Sequence, residues 1–156
     1  MKRALVVALA GALFAPGCGS SGPGETPTAC LVGVNGYLKA LEAAPGQVLL
    51  AGATPIGDCL PDDQSGADQA TVGESLVRAA TLLNVRGHRD PTGPAPLRLG
   101  YLVGAVQGAT SGATGIHADL VRRIEAAARF EGASERVPHA FDLAYAKGYA
   151  AGRSQG

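Results

Sequence analysis

Apolar side chains recur every three or four residues along most of this chain, which is the spacing of one face of an α-helix. The first run ends at Pro45 and comprises Leu31, Val34, Leu38 and Leu41. Later runs predict further helices over residues 65–86, 96–109, 116–130 and 138–152. We therefore predict an all-α fold, a small bundle of about five helices over residues 30–153.

Local signals refine the second helix. Ser65 and Asp68 resemble a capping box with Asp in place of Glu, so the helix is predicted to begin there. It is predicted to end near Arg86, because a glycine follows at position 87. Ion pairs at i,i+4 spacing are predicted on the helix surfaces: Glu74–Arg78, Asp119–Arg123 and Glu125–Arg129.

The apolar run QVLLAGA at residues 47–53 is compatible with a strand or with a buried helical turn. No second strand is visible in the sequence to pair with it. We therefore predict a buried segment that is irregular or helical.

Glycine occupies every fourth position from Gly100 to Gly112, a repeat that begins within the third apolar run. Each glycine inside a helix costs about 1 kcal/mol relative to alanine, so this repeat needs a structural or functional reason. The last predicted helix has a small-residue repeat of its own: Ala140, Ala144, Gly148 and Gly152. We expect the packing glycines to face a neighbouring helix of the same chain: Gly100, Gly104, Gly108 and Gly148.

Two other interpretations of the glycine repeat stay open: a surface for self-association or for a partner protein, and an accidental periodicity in which residues 108–115 are mostly loop. A membrane-spanning glycine zipper is disfavoured. The apolar stretch over residues 97–109 is shorter than the roughly 20 residues that a span requires, and it contains Arg98 and Gln107.

The N-terminus has the pattern of an export signal. The basic residues MKR precede the 12-residue apolar run ALVVALAGALFA, which is too short to be a permanent membrane span. We therefore assign residues 1–17 to a signal peptide.

The segment FAPGCGSSGPGETPT resembles the lipobox of bacterial lipoproteins, because the small residue Gly17 precedes Cys18 and a Gly/Ser/Pro/Thr-rich stretch follows. The resemblance implies that Cys18 is acylated with chains such as palmitate and becomes the N-terminus. It also implies that residues 18–29 are a flexible tether, and that the protein is held at the extracytoplasmic face of a membrane. The alternative is a secreted domain without the lipid.

If Cys18 carries the lipid, Cys30 and Cys59 remain as a pair, and an exported protein folds in an oxidising compartment. We predict a disulfide between them that closes a loop near the N-terminus of the domain. In the chain-entropy model such a loop contributes on the order of 3 to 4 kcal/mol. The alternative is two buried free thiols.

Charge disfavours nucleic acid as a partner, because the chain from Cys18 onward holds 11 basic and 13 acidic residues, a net charge of −2. The basic residues are nevertheless concentrated after Leu76. Arg86, Arg89 and Arg98, with His88 beside them, are therefore a candidate patch for anionic lipid or cell-wall polymer at the membrane surface, or for an envelope protein partner. A solvated arginine-rich loop is the alternative.

The sequence contains no nucleophile, metalloprotease or nucleotide-binding motif, so we assign no catalytic residue, cofactor or metal ligand. His139 and Asp142 lie three residues apart on a predicted helix and are the one candidate pair for catalysis. The expected function is that of a membrane-anchored cell-envelope lipoprotein with a non-catalytic binding or accessory role. The alternatives are a secreted binding domain and a small envelope enzyme that uses His139 and Asp142.

Overall fold

The computed structural model describes residues 24–129 and 138–156. These residues form five α-helices: α1 Gly33–Ala40, α2 Gly66–Arg89, α3 Ala95–Ala109, α4 Ile116–Ala128 and α5 His139–Gln155. The only sheet in this part of the chain is a two-stranded hairpin of β1 Leu49–Leu50 and β2 Thr54–Pro55. The predicted all-α bundle is confirmed.

Helix α3 forms the centre of the bundle and packs against α2, α4 and α5. Apart from Arg98 and Gln107 its side chains are apolar or small around the whole helix, which is the pattern of a helix that is buried rather than half-exposed. Its side chains supply much of the core, including the fully buried Leu99, Tyr101 and Leu102. None of the helices in the described residues is long and apolar enough to cross a membrane.

Helix α2 begins as predicted but ends later. The Ser65 hydroxyl accepts a hydrogen bond of 3.1 Å from the Asp68 backbone N–H, which caps the helix. The predicted end near Arg86 is wrong, because α2 continues through Gly87 to Arg89. A Cβ at position 87 would stand 2.8 Å from Cε2 of Phe141, so this glycine allows α5 to approach instead of ending the helix.

The prediction for residues 47–53 is also wrong in part. Leu49 and Leu50 form a strand that pairs antiparallel with Thr54 and Pro55. Ala51 and a glycine at position 52 make the turn in the left-handed region, with φ of 49° and 76°. The partner strand was not visible in the sequence because it has only two residues and one of them is proline.

One of the three predicted ion pairs forms as expected. Glu74 binds Arg78 at 3.2 Å. Asp119 binds Arg122, one residue before the predicted partner, at 2.9 Å. Glu125 accepts a hydrogen bond from Gln107 of α3 rather than pairing with residue 129, which lies outside α4 in an extended conformation.

The predicted disulfide between Cys30 and Cys59 is present, and both residues are fully buried. The Tyr37 hydroxyl donates a hydrogen bond of 2.9 Å to the Cys30 carbonyl, so α1 is tied to the same point. Burial raises the pKa of Tyr37. The loop that the disulfide closes contains α1 and the hairpin.

The packed domain is longer than the predicted range of 30–153. Thr26 is 6 % exposed, and its hydroxyl accepts a hydrogen bond of 2.9 Å from Gln64 Nε2. The last helix continues to Gln155. The end of the predicted tether therefore belongs to the domain, whereas residues 1–17 and Cys18 lie outside the described residues.

Candidate functional site

The glycines of the third apolar run lie where α3 and α5 meet. A Cβ on Gly100 would stand 2.9 Å from the Tyr149 nitrogen, and one on Gly104 would stand 3.0 Å from the Arg153 nitrogen. Because the residue numbers rise together along both helices, α3 and α5 run parallel. Their backbones touch at distances that leave no space for side chains.

The small residues of α5 complete this contact. A Cβ on Gly148 would stand 2.9 Å from the Tyr101 nitrogen, and a Cβ on the glycine at position 152 would be as close to the Ala105 nitrogen. Gly108 is less constrained, because its Cβ would lie 3.4 Å from the Arg153 carbonyl, an ordinary contact. Four glycines therefore interlock two helices of one chain, and Gly108 marks the looser end.

A chain of hydrogen bonds joins three helices beside this interface. The Tyr149 hydroxyl of α5 donates to Gln107 Oε1 of α3, and Gln107 Nε2 donates to Glu125 of α4. Tyr145 stacks between Phe141 and Tyr149, with ring centroids 6.2 and 6.4 Å apart. Burial, together with Tyr149 and Glu125, raises the pKa of Tyr145 to about 12. These side chains fix the orientation of α4 on the α3–α5 pair.

The arginines of the predicted patch do not lie around one cleft. Arg86 and Arg89 are exposed on the last turn of α2, whereas Arg98 is half-buried on α3. The Lys39 ammonium, which donates a hydrogen bond to Glu42, lowers the pKa of that carboxyl, and Arg98 adds a smaller effect. Arg98 therefore belongs to the neighbourhood of α1 and is removed from the candidate patch.

Arg89 instead lines a cleft between the C-terminal ends of α2 and α4. We call this the α2–α4 cleft; it has a volume of about 460 Å³ and is lined by Asn84, Val85, His88, Arg89, Ala126, Ala127 and Arg129. Asn84 Nδ2 donates a hydrogen bond of 2.7 Å to the Arg129 carbonyl, which holds the two helix ends together. The cleft thus combines two guanidinium groups and an imidazole with apolar walls.

The described lining of the α2–α4 cleft contains two cationic side chains, Arg89 and Arg129. No carboxylate is among its described lining residues, and neither Arg89 nor Arg129 forms an ion pair within residues 24–129 and 138–156. The adjacent carboxylate of Asp90 accepts hydrogen bonds from the backbone and hydroxyl of Thr92. Glu125, on the last turns of α4, is bound by Gln107.

Sequence reasoning found Arg89 but missed Asn84 and Arg129. The sequence signal for this cleft was weak, because the predicted end of α2 at residue 86 placed Arg89 in a loop. A helix that continues to Arg89 puts positions 85, 88 and 89 on adjoining parts of one face, toward the end of α4.

His139 and Asp142 are both exposed in the first turn of α5. The described structure therefore does not enclose them in the desolvated surroundings that tune catalytic acids and bases. His117, in contrast, is 6 % exposed, and its Nε2 has no hydrogen-bond partner within the described part of the chain. The described residues also contain no group of three or more His, Cys, Asp or Glu side chains that could hold a metal ion.

Comparison with known proteins identifies no relative. No family model matches the chain, no curated protein resembles it in sequence, and no solved structure matches its fold. The function must therefore be argued from the residues of this chain.

Proposed function

We propose that this chain is an exported lipoprotein of the bacterial cell envelope, anchored through Cys18, whose helical domain has a non-catalytic binding role. The observation that carries the proposal is the buried Cys30–Cys59 disulfide. Disulfides persist in oxidising compartments and are rare in the cytosol, so this cross-link supports export. The lipobox-like segment around Cys18 supports anchoring in the same compartment.

The α2–α4 cleft supports a binding role. Two guanidinium groups that have no carboxylate partner among the described residues can donate hydrogen bonds to a ligand or to the surface of a partner protein. The exposed positions of His139 and Asp142 do not favour the enzyme alternative. The proposed role is therefore recognition, performed at the outer face of the membrane.

The intact mass of the protein from a producing bacterium, measured without reductant, tests the export and anchoring. The proposal predicts a chain that begins at Cys18, carries added acyl mass and lacks the two hydrogens of the disulfide. An unacylated chain cleaved before Cys18 would identify the secreted alternative. An intact N-terminus with both thiols reduced would contradict export altogether.

A further inference from the structure

We infer that the α2–α4 cleft is a binding site for a phosphate group carried by a small neutral or apolar body. This inference deepens the proposed binding role, on which it rests, by naming the class of ligand. The residues that carry it are Arg89 and Arg129, and His88 also belongs to the lining.

Charge is the first step. The two guanidinium groups bring two positive charges to one cleft, and the described lining residues bring no negative charge. A phosphate monoester carries about −1.5 to −2 charges at neutral pH, so it balances both arginines, whereas a carboxylate balances only one. The planar donor fork of arginine also matches phosphate oxygens in pairs.

The position of the arginines is the second step. Both lie at helix C-termini, where the partial negative charge of the helix end stabilises a cation. The helix ends therefore accommodate Arg89 and Arg129, which have no acidic partner within residues 24–129 and 138–156. The hydrogen bond from Asn84 to the Arg129 carbonyl fixes the two helix ends relative to each other before any ligand arrives.

Size and lining are the third step. The cleft of about 460 Å³ falls within the roughly 300–1,000 Å³ of typical small-molecule sites. Val85, Ala126 and Ala127 supply apolar wall beside the cationic groups. The cleft thus has room for more than an inorganic ion, and its apolar wall suits the uncharged remainder of an organic phosphate.

A phosphate in the envelope can belong to a soluble molecule or to a lipid headgroup, and the two sources are separated by two probes. The first is inorganic phosphate, titrated calorimetrically into the full chain. The second is vesicles of phosphatidylcholine with and without phosphatidic acid, assayed by co-sedimentation. Both use Cys18→Ser protein, which has no acyl anchor, so the outcome is independent of whether the native chain is lipidated.

The test compares Arg89→Gln/Arg129→Gln with Arg78→Gln/Arg122→Gln. Each double variant removes two positive charges, one from α2 and one near or on α4, but Arg78 and Arg122 are exposed and paired with Glu74 and Asp119. We expect the first double variant to weaken binding of the responding probe at least tenfold and the second to weaken it less than twofold. Equal thermal midpoints of the two variants establish that both are folded.

Saturable binding of inorganic phosphate supports a site for soluble phosphates, and binding of phosphatidic acid vesicles alone supports a headgroup site. Binding of neither probe, or equal loss in both double variants, overturns the inference and leaves the lipid anchor untouched. Conversely, a native mass without acyl chains would contradict the lipid anchor at Cys18. It would not affect the evidence for a phosphate site in the α2–α4 cleft.

Discussion

Gly148 of α5 leaves no room for a side chain beside Tyr101 of α3, because a Cβ there would stand 2.9 Å from the Tyr101 nitrogen. The close backbone contact explains why the chain accepts the conformational cost of glycine in two helices. Carbonyl oxygens that face glycine Cα atoms at such interfaces also make weak Cα–H···O contacts.

Gly148→Ala is therefore expected to lower the free energy of unfolding by about 1 to 3 kcal/mol, the usual cost of overpacking a well-packed interior. Gly104→Leu is expected to reach the upper end of that range or exceed it. Thermal and urea unfolding of the purified monomer measure both effects.

The matched controls are Gly66→Ala and Gly108→Ala. Nothing lies within 4 Å of a Cβ at position 66, and the nearest atom to one at position 108 is at 3.4 Å. Alanine favours a helix over glycine by up to about 1 kcal/mol, so both controls should unfold at or above the wild-type midpoint. If all four variants unfold alike, the backbone contact between α3 and α5 does not determine stability.

Removal of the disulfide is expected to destabilise the domain substantially. Cys30 and Cys59 are separated by 29 residues, and a cross-link over such a loop contributes about 3 to 4 kcal/mol in the chain-entropy model. Urea unfolding of Cys30→Ala/Cys59→Ala should therefore show a markedly lower midpoint. Wild-type protein unfolded in the presence of reductant should move to a similar midpoint; an unchanged midpoint in both cases would contradict the role assigned to the bridge.

The hydrogen bonds through Gln107 are expected to couple energetically. Gln107→Leu removes the amide that joins Tyr149 to Glu125, and Tyr149→Phe removes one end of the same chain. A double-mutant cycle should give a coupling free energy of about 0.5 to 1.5 kcal/mol. Additive effects of the two substitutions would mean that the hydrogen bond between Tyr149 and Gln107 does not contribute to the free energy of unfolding.

Alkaline pH is expected to weaken the fold through Tyr145. Burial holds the pKa of its hydroxyl at about 12, whereas the unfolded chain ionises near pH 10. Between these values the folded state keeps a proton that the unfolded state releases, so the free energy of unfolding falls as pH rises through that window. Below pH 10 the hydroxyl is protonated in both states, so Tyr145 does not reduce the free energy of unfolding there.

Tyr145→Phe should therefore flatten the loss of stability between pH 10 and about 12, measured by urea unfolding at a series of pH values. Tyr37, whose pKa is also raised by burial, contributes equally to both proteins. If the free energy of unfolding falls equally steeply with pH in wild type and variant, the ionisation of Tyr145 does not contribute to the alkaline loss of stability.

The helices and the disulfide could be predicted because their signals are local or involve one pair of residues. Apolar periodicity located the five helices, and the residues left after Cys18 identified the pair Cys30–Cys59. The register of α5 on α3 was not accessible, since the glycine repeats indicate close packing without showing which backbone atoms face them.

The errors come from contacts between distant parts of the chain. Gly87 looks like a helix end in sequence, but it is a contact point for Phe141. Arg98 looks like a companion of Arg89 in sequence, but the turn between α2 and α3 carries it toward Glu42. The α2–α4 cleft required the relative position of two helix ends, which no local pattern encodes.

The disulfide also determines how the domain would respond to mechanical tension. A pull from the N-terminal side enters the fold at Thr26, reaches Cys30 four residues later and passes through the sulfur atoms to Cys59, shortly before α2. Helix α1 and the hairpin therefore lie outside the path of the force. Reduction would place that 29-residue loop in series with the pull, and its fully extended length is roughly 100 Å.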